Sequence, residues 1–167
     1  MRRAKRCGLA LLALAFAMDA AAAGESSSAA IQLDPFAQAT RGYAGCPEGQ
    51  PELVTPEQMR IIAHERAERG TYCALEGKCE PGGAYKRDPE VNERVRAAIA
   101  GDKRFAATSV WVTTTRRFVT LSGCVRSATQ QRALAAFARE QPGVDRVFDE
   151  TRVGVKPPRA ATTTAPR

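Results

Sequence analysis

The stretch Phe118-Val119-Thr120-Leu121-Ser122-Gly123-Cys124-Val125, followed by Ser127–Arg139 and then Pro142-Gly143-Val144-Asp145-Arg146-Val147, decides the fold. Val119, Leu121, Gly123 and Val125 alternate toward one side, the period-two pattern of a half-buried strand. Ser127 with Gln130 three residues on has the form of a capping box. Leu134, Phe137 and Ala138 follow at the spacing of an amphipathic helix, and Pro142-Gly143 stops it. Val144, Val147, Thr151 and Val153 predict a closing strand. Its break in strict alternation predicts a bulge near Phe148-Asp149.

Working outward, Asp88 stands where a helix cap belongs, with Pro89 at the first helical position. Val91, Val95, Ala98 and Ile99 form a core-facing stripe that ends at Gly101-Asp102. A strand is expected over Thr108–Thr114, with Val110 and Val112 on one face and Trp111 on the other. Thr115-Arg116-Arg117 must then make the hairpin turn, and it contains no glycine. The order is helix–strand–strand–helix–strand.

Over residues 88–155 this order resembles the BON domain, a module of bacterial envelope proteins. The residues that carry the likeness are Val110-Trp111-Val112, Val119-Thr120-Leu121-Ser122-Gly123, the helix at about Thr129–Arg139, and Pro142-Gly143-Val144-Asp145-Arg146-Val147. The resemblance implies an α+β fold with two helices packed on one face of a three-stranded sheet. It also implies a module that binds phospholipid surfaces or other envelope components, in envelope maintenance or stress tolerance. Only one copy of the pattern occurs, and residues 40–87 do not read as a second. On that implication the lipid contacts are Trp111, Arg116, Arg117 and Phe118, because aromatics beside arginines at a hairpin tip suit the headgroup boundary of an anionic membrane. The opposing reading packs Trp111 and Phe118 inward and leaves the arginines merely solvated.

The N-terminus gives the compartment. Arg2, Arg3, Lys5 and Arg6 precede an apolar run, Gly8–Met18, and the small residues Ala20–Ala23. This is the form of a cleaved secretory signal peptide over residues 1–23, and it predicts a periplasmic protein. The run is too short to span a bilayer. Cys7 precedes it, which rules that cysteine out as a lipid anchor. Setting the leader aside lowers the net charge from +7 to +4, so the basic balance is modest.

Residues 24–87 read as a cysteine-containing helical extension and residues 156–167 as a Pro/Thr-rich disordered tail. Within the extension, Asp34–Pro51 reads as loop. Thr55-Pro56-Glu57-Gln58 opens a helix with a capping box, which Gly70 weakens or ends. Cys46, Cys73, Cys79 and Cys124 form an even set, as expected of disulfides in an exported chain. Three pairings are open. The short span from Cys73 to Cys79 suits a local bridge, which would leave Cys46 to fasten the extension to Cys124 on the sheet.

No site signature points to an enzyme. Gly-x-Ser-x-Gly is absent, His64 is the only histidine, and no carboxylate pair stands out from the general charge. Cys73-x5-Cys79 is not a zinc spacing. No metal and no cofactor are expected. Nucleic-acid binding is disfavoured by the lack of a Gly-x-x-Gly loop or an aromatic RNA-binding strand, and by export. Membrane contact should be peripheral at most. The sequence therefore predicts a non-enzymatic envelope-associated module for anionic phospholipid, the alternative being a structural protein–protein interaction module.

Overall fold

The computed structural model describes residues 29–154. The signal-peptide reading (1–23) and the tail reading (156–167) lie outside the described residues. In chain order the elements are β1 (Ile31–Gln32), β2 (Phe36–Arg41), β3 (Leu53–Val54), α1 (Pro56–Leu75), α2 (Asp88–Gly101), β4 (Ser109–Thr115), β5 (Phe118–Val125), α3 (Ala128–Arg139) and β6 (Arg146–Val153). A 3-10 turn at Lys103–Phe105 joins α2 to β4.

The apolar stripes build the core. Val91, Val95 and Ile99 of α2 meet Val110 and Val112 of β4, Val119, Leu121 and Val125 of β5, and Leu134 and Ala138 of α3, each at most 1% exposed. Residues two apart on a strand share a face, so one face of the sheet is apolar and the two helices cover it. β4 and β5 pair antiparallel as a hairpin, and α3 carries the chain across to β6, which lies parallel to β5. Ser127 caps α3 by accepting from the Gln130 amide at 3.1 Å. The Gln130 side chain reaches one residue further back than a capping box requires and accepts from the Arg126 amide.

The sheet has four strands in the order β2-β4-β5-β6, where three were expected. The added strand lies inside the segment read as loop. Phe36-Ala-Gln-Ala-Thr-Arg41 carries little intrinsic strand preference, but it lies antiparallel to β4 with a register shift between Gln38 and Thr40. Long-range bonds hold it there. Buried Asn92 donates to the carbonyls of Pro35 (3.0 Å) and Val112 (2.9 Å), and the Thr40 and Thr108 hydroxyls lie 2.7 Å apart. The bulge expected at Phe148-Asp149 is absent: β6 stays in register with β5 from Arg146 to Val153. The hydrophobic alternation breaks there because Asp149, in line with buried Val147 and Thr151 but itself exposed, accepts from the Thr151 amide and hydroxyl.

In α1 both halves of the Thr55–Gln58 capping box form, at 2.8 and 3.2 Å. Gly70 does not end this helix, which runs on to Leu75. Instead Gly70 is the buried residue of α1 and lies against Gly83, where an added Cβ would sit 2.7 Å from the Gly70 Cα. The glycine gives the backbones room to touch.

The far face of the sheet is partly covered by the extension. Cys46 is bonded to Cys124 of β5. That bond lays the loop after Cys46 over Trp111, which is 5% exposed, and a Cβ on Gly49 would lie 2.7 Å from the indole. Closing a loop of 78 residues should stabilise the fold by about 4 kcal/mol. Replacing Cys46 and Cys124 together by Ser should lower the unfolding free energy by about that amount in chemical denaturation. It should also red-shift the fluorescence of Trp111, the single tryptophan.

Candidate functional site

The β4–β5 hairpin turns through two residues, Arg116 and Arg117, between the paired Thr115 and Phe118. Their φ angles are 55° and 64°. A two-residue turn with both central residues left-handed matches the twist of the strands, and Asn-Gly is its usual sequence. Two arginines there are strained, by on the order of 1 kcal/mol each. Asp88 offsets that strain. Its carboxylate accepts from the Arg116 amide through Oδ2 and from the Arg117 amide through Oδ1, each at 2.7 Å.

The expected helix cap is therefore employed elsewhere. α2 begins at Asp88 itself, and Arg87 stands at the cap position with no side-chain cap bond. Asp88 is 2% exposed. Burial raises its pKa above the ordinary carboxyl value. The amides of Arg117 and Arg116 pull the other way, the Asp34 charge raises it further, and Arg66 lowers it.

Asp34 links the extension to the same tip. Its Oδ2 accepts from the Thr115 hydroxyl at 2.9 Å. The Arg66 guanidinium of α1 lies 2.9 Å from Oδ1, close enough for an ion pair but off the hydrogen-bond direction, so Oδ1 has no directed donor. Arg66 also stacks on Tyr85 at 4.4 Å. Together with the Gly70–Gly83 contact, this sets α1 beside the hairpin.

Between them opens a groove of about 960 Å³. One wall is the C-terminal half of α1 with the loop closed by the Cys73–Cys79 bond, represented by Arg69, Tyr72 and Lys78. The other is the tip: Arg116, Arg117 and Phe118. Most cations of the groove have carboxylate partners. Arg117 pairs with Asp145 at 2.6 Å, Lys78 with Glu76 at 2.8 Å, Arg87 with Glu90 at 3.2 Å and Arg69 with Glu65 at 3.4 Å. Arg116 differs: among the described residues no carboxylate is within ion-pair distance, and its guanidinium lies 5.8 Å from the Phe118 ring centre. Phe118 meets Phe148 edge-on at 6.1 Å.

Of the four residues read as lipid contacts, Arg116, Arg117 and Phe118 are brought together. Trp111 is not. It lies five residues along β4, about 16 Å from the tip, and is covered by the loop after Cys46. Its neighbour in sequence, Val110, belongs to the core, but the indole points to the other face, where the extension covers it. Sequence reasoning missed the part played by Asp88, and it missed Tyr72 and Arg69 as groove residues. The signal for Asp88 was a two-residue turn without Gly or Asn, which needs an acceptor for its amides. His64 is exposed and lies 3.3 Å from Glu68. Among the described residues no group of His, Cys, Asp and Glu is placed to hold a metal, and no helix is long and apolar enough to cross a membrane.

A helix before a hairpin, and a helical crossover to a parallel strand, define a small α+β module. The family model of the BON domain matches residues 87–155, and this part of the chain is a BON domain. No curated protein matches the chain.

The Gly70–Gly83 contact makes a further expectation. Gly83→Ala should destabilise the protein by about 1–3 kcal/mol, measured by denaturant unfolding. It should speed proteolytic cleavage between residues 70 and 87 and leave Trp111 fluorescence unchanged.

Proposed function

We propose that this protein is an exported, non-enzymatic module of the periplasm that binds anionic phospholipid surfaces through the tip of its β4–β5 hairpin. The observation that carries the reading is Arg116, a guanidinium free of carboxylate partners among the described residues, held at the end of a rigid hairpin and beside the half-buried ring of Phe118. The domain family supports it, since BON domains are regarded as phospholipid-binding modules. Near the end of α1, Tyr72 lines the groove and is 66% exposed, and Leu75, three residues on, is 81% exposed. They suit the boundary between headgroups and acyl chains. Export is supported by the two disulfides and by the leader-like N-terminus. A role in envelope maintenance or stress tolerance belongs to the same reading.

The alternative is a protein–protein interaction module. Its support is the near balance of charge in the groove, where all cations named above except Arg116 are paired. Salt separates the two readings, because attraction to an anionic surface is screened and an apolar interface is not.

Co-sedimentation with vesicles provides the test. Each basic residue close to an anionic surface contributes about 1 kcal/mol. The oxidised protein should bind vesicles containing phosphatidylglycerol, fail to bind neutral vesicles, and bind less as salt rises. Replacing both tip arginines, Arg116→Glu with Arg117→Glu, should abolish binding and leave the thermal unfolding midpoint within a few degrees, since an exposed pair such as Arg117–Asp145 contributes at most about 1 kcal/mol. Unchanged vesicle binding in that variant would remove the hairpin tip from the mechanism.

A further inference from the structure

We infer that Asp88 is the positioning residue of the hairpin tip and an acid-sensitive latch: ionised, it holds the Arg116-Arg117 turn, and protonated, it lets that turn go. The inference rests on the proposed role of the tip and adds a means of regulating it.

The geometry is specific. Each carboxylate oxygen takes one amide of a turn that two arginines would not otherwise hold. A protonated carboxyl carries a hydroxyl on one oxygen, so one of the two amides loses its ionic acceptor. Water is a poor substitute, because Asp88 is 2% exposed. The charged groups facing it are few. Asp34, from the approach to β2, opposes its ionisation, and Arg66 of α1 favours it. From the hairpin come the two backbone amides, and the Asp88 amide itself is taken by the Tyr85 carbonyl at 3.1 Å. Burial is the largest influence, so the carboxyl titrates above its ordinary value of 3.8.

The sign of the effect on stability runs opposite to ordinary acid denaturation. A group whose folded pKa is raised contributes stability that is fully present below the unfolded value and is lost as pH rises through the folded value. Acidification toward 3.8 therefore favours the fold at Asp88 while it loosens the tip. A buried carboxylate kept ionised at neutral pH is a cost to stability that the tip conformation explains.

The experiment uses the oxidised full chain. Amide shifts and exchange protection of Arg116 and Arg117 are followed by NMR from neutral pH down to about 4. Both amides should titrate together and lose protection, while Val119 and Leu121 keep theirs. In Asp88→Asn they should be unprotected throughout and show no titration. Tip protection that stays constant while Asp88 titrates would overturn the inference, and the wild-type titration decides the matter even if the variant does not fold. A second arm uses phosphatidylglycerol vesicles. General loss of negative charge in acid would by itself tighten binding to an anionic surface. The latch predicts weaker binding instead, by about fivefold for one displaced arginine. Tighter binding in acid from a released tip would overturn the regulatory role. A titrating tip with no vesicle binding at any pH would leave the latch standing and remove the lipid reading.

Discussion

A small sheet has two faces, and helices α2 and α3 cover only one. The rest of the structure follows from how the second face is handled. That face carries Trp111 on β4, a side chain too large to leave in water without cost. The Cys46–Cys124 bond pins a loop across it. The matched family segment, residues 87–155, contains the indole and Cys124 but not the cover. The extension is therefore part of the fold. It supplies the loop over Trp111, the edge strand β2 and, through α1, one wall of the groove.

The elements legible in the sequence are those whose pattern is local. Val91, Val95 and Ile99 on α2, Val110 and Val112 on β4, and Val119 and Leu121 on β5 alternate or recur at the period of their element, and all are buried. The Thr55 capping box was readable because its partners are three residues apart. β2 was not readable, because only Phe36 and Thr40 of its six residues favour a strand. It becomes one through pairing with β4 and bonds from Asn92 and Thr108. Gly70 misled for a related reason. A glycine in a helix signals an end when only neighbours in sequence are considered, and here it serves a contact with Gly83, thirteen residues on. At the candidate site, Arg116, Arg117 and Phe118 stand together because a turn keeps neighbours in sequence close in space. Trp111 was drawn in by its chemistry, although strand length places it at the other end.

The tip departs from what stability alone would select. A left-handed Arg-Arg turn held by a buried carboxylate combines backbone strain with a desolvated charge, and Asn-Gly would remove the need for both. Conflicts of this kind between local preference and the fold are expected where a function is served. The groove behind the tip follows the ordinary rule instead, with its cations beside carboxylates at 2.6–3.4 Å. Arg116 is set apart from them by position, since it projects from the end of the hairpin, beyond the reach of the carboxylates along α1 and α2.

The sheet's edges argue in the same direction. An exposed edge strand offers unpaired amides and carbonyls to any passing strand. On β6 the Thr151 amide is taken by the Asp149 carboxylate at 3.0 Å, and its carbonyl by the Gln131 amide at 2.6 Å. A strand approaching that edge would find its central partner already bonded. On the opposite edge β2 is six residues long and shifts register between Gln38 and Thr40, which breaks the regular ladder a new strand would need. With one face under helices, part of the other under a disulfide-pinned loop and both edges blunted, association by strand addition is disfavoured. The hairpin tip and its groove are what the fold leaves exposed and charged, and the proposed binding surface lies there.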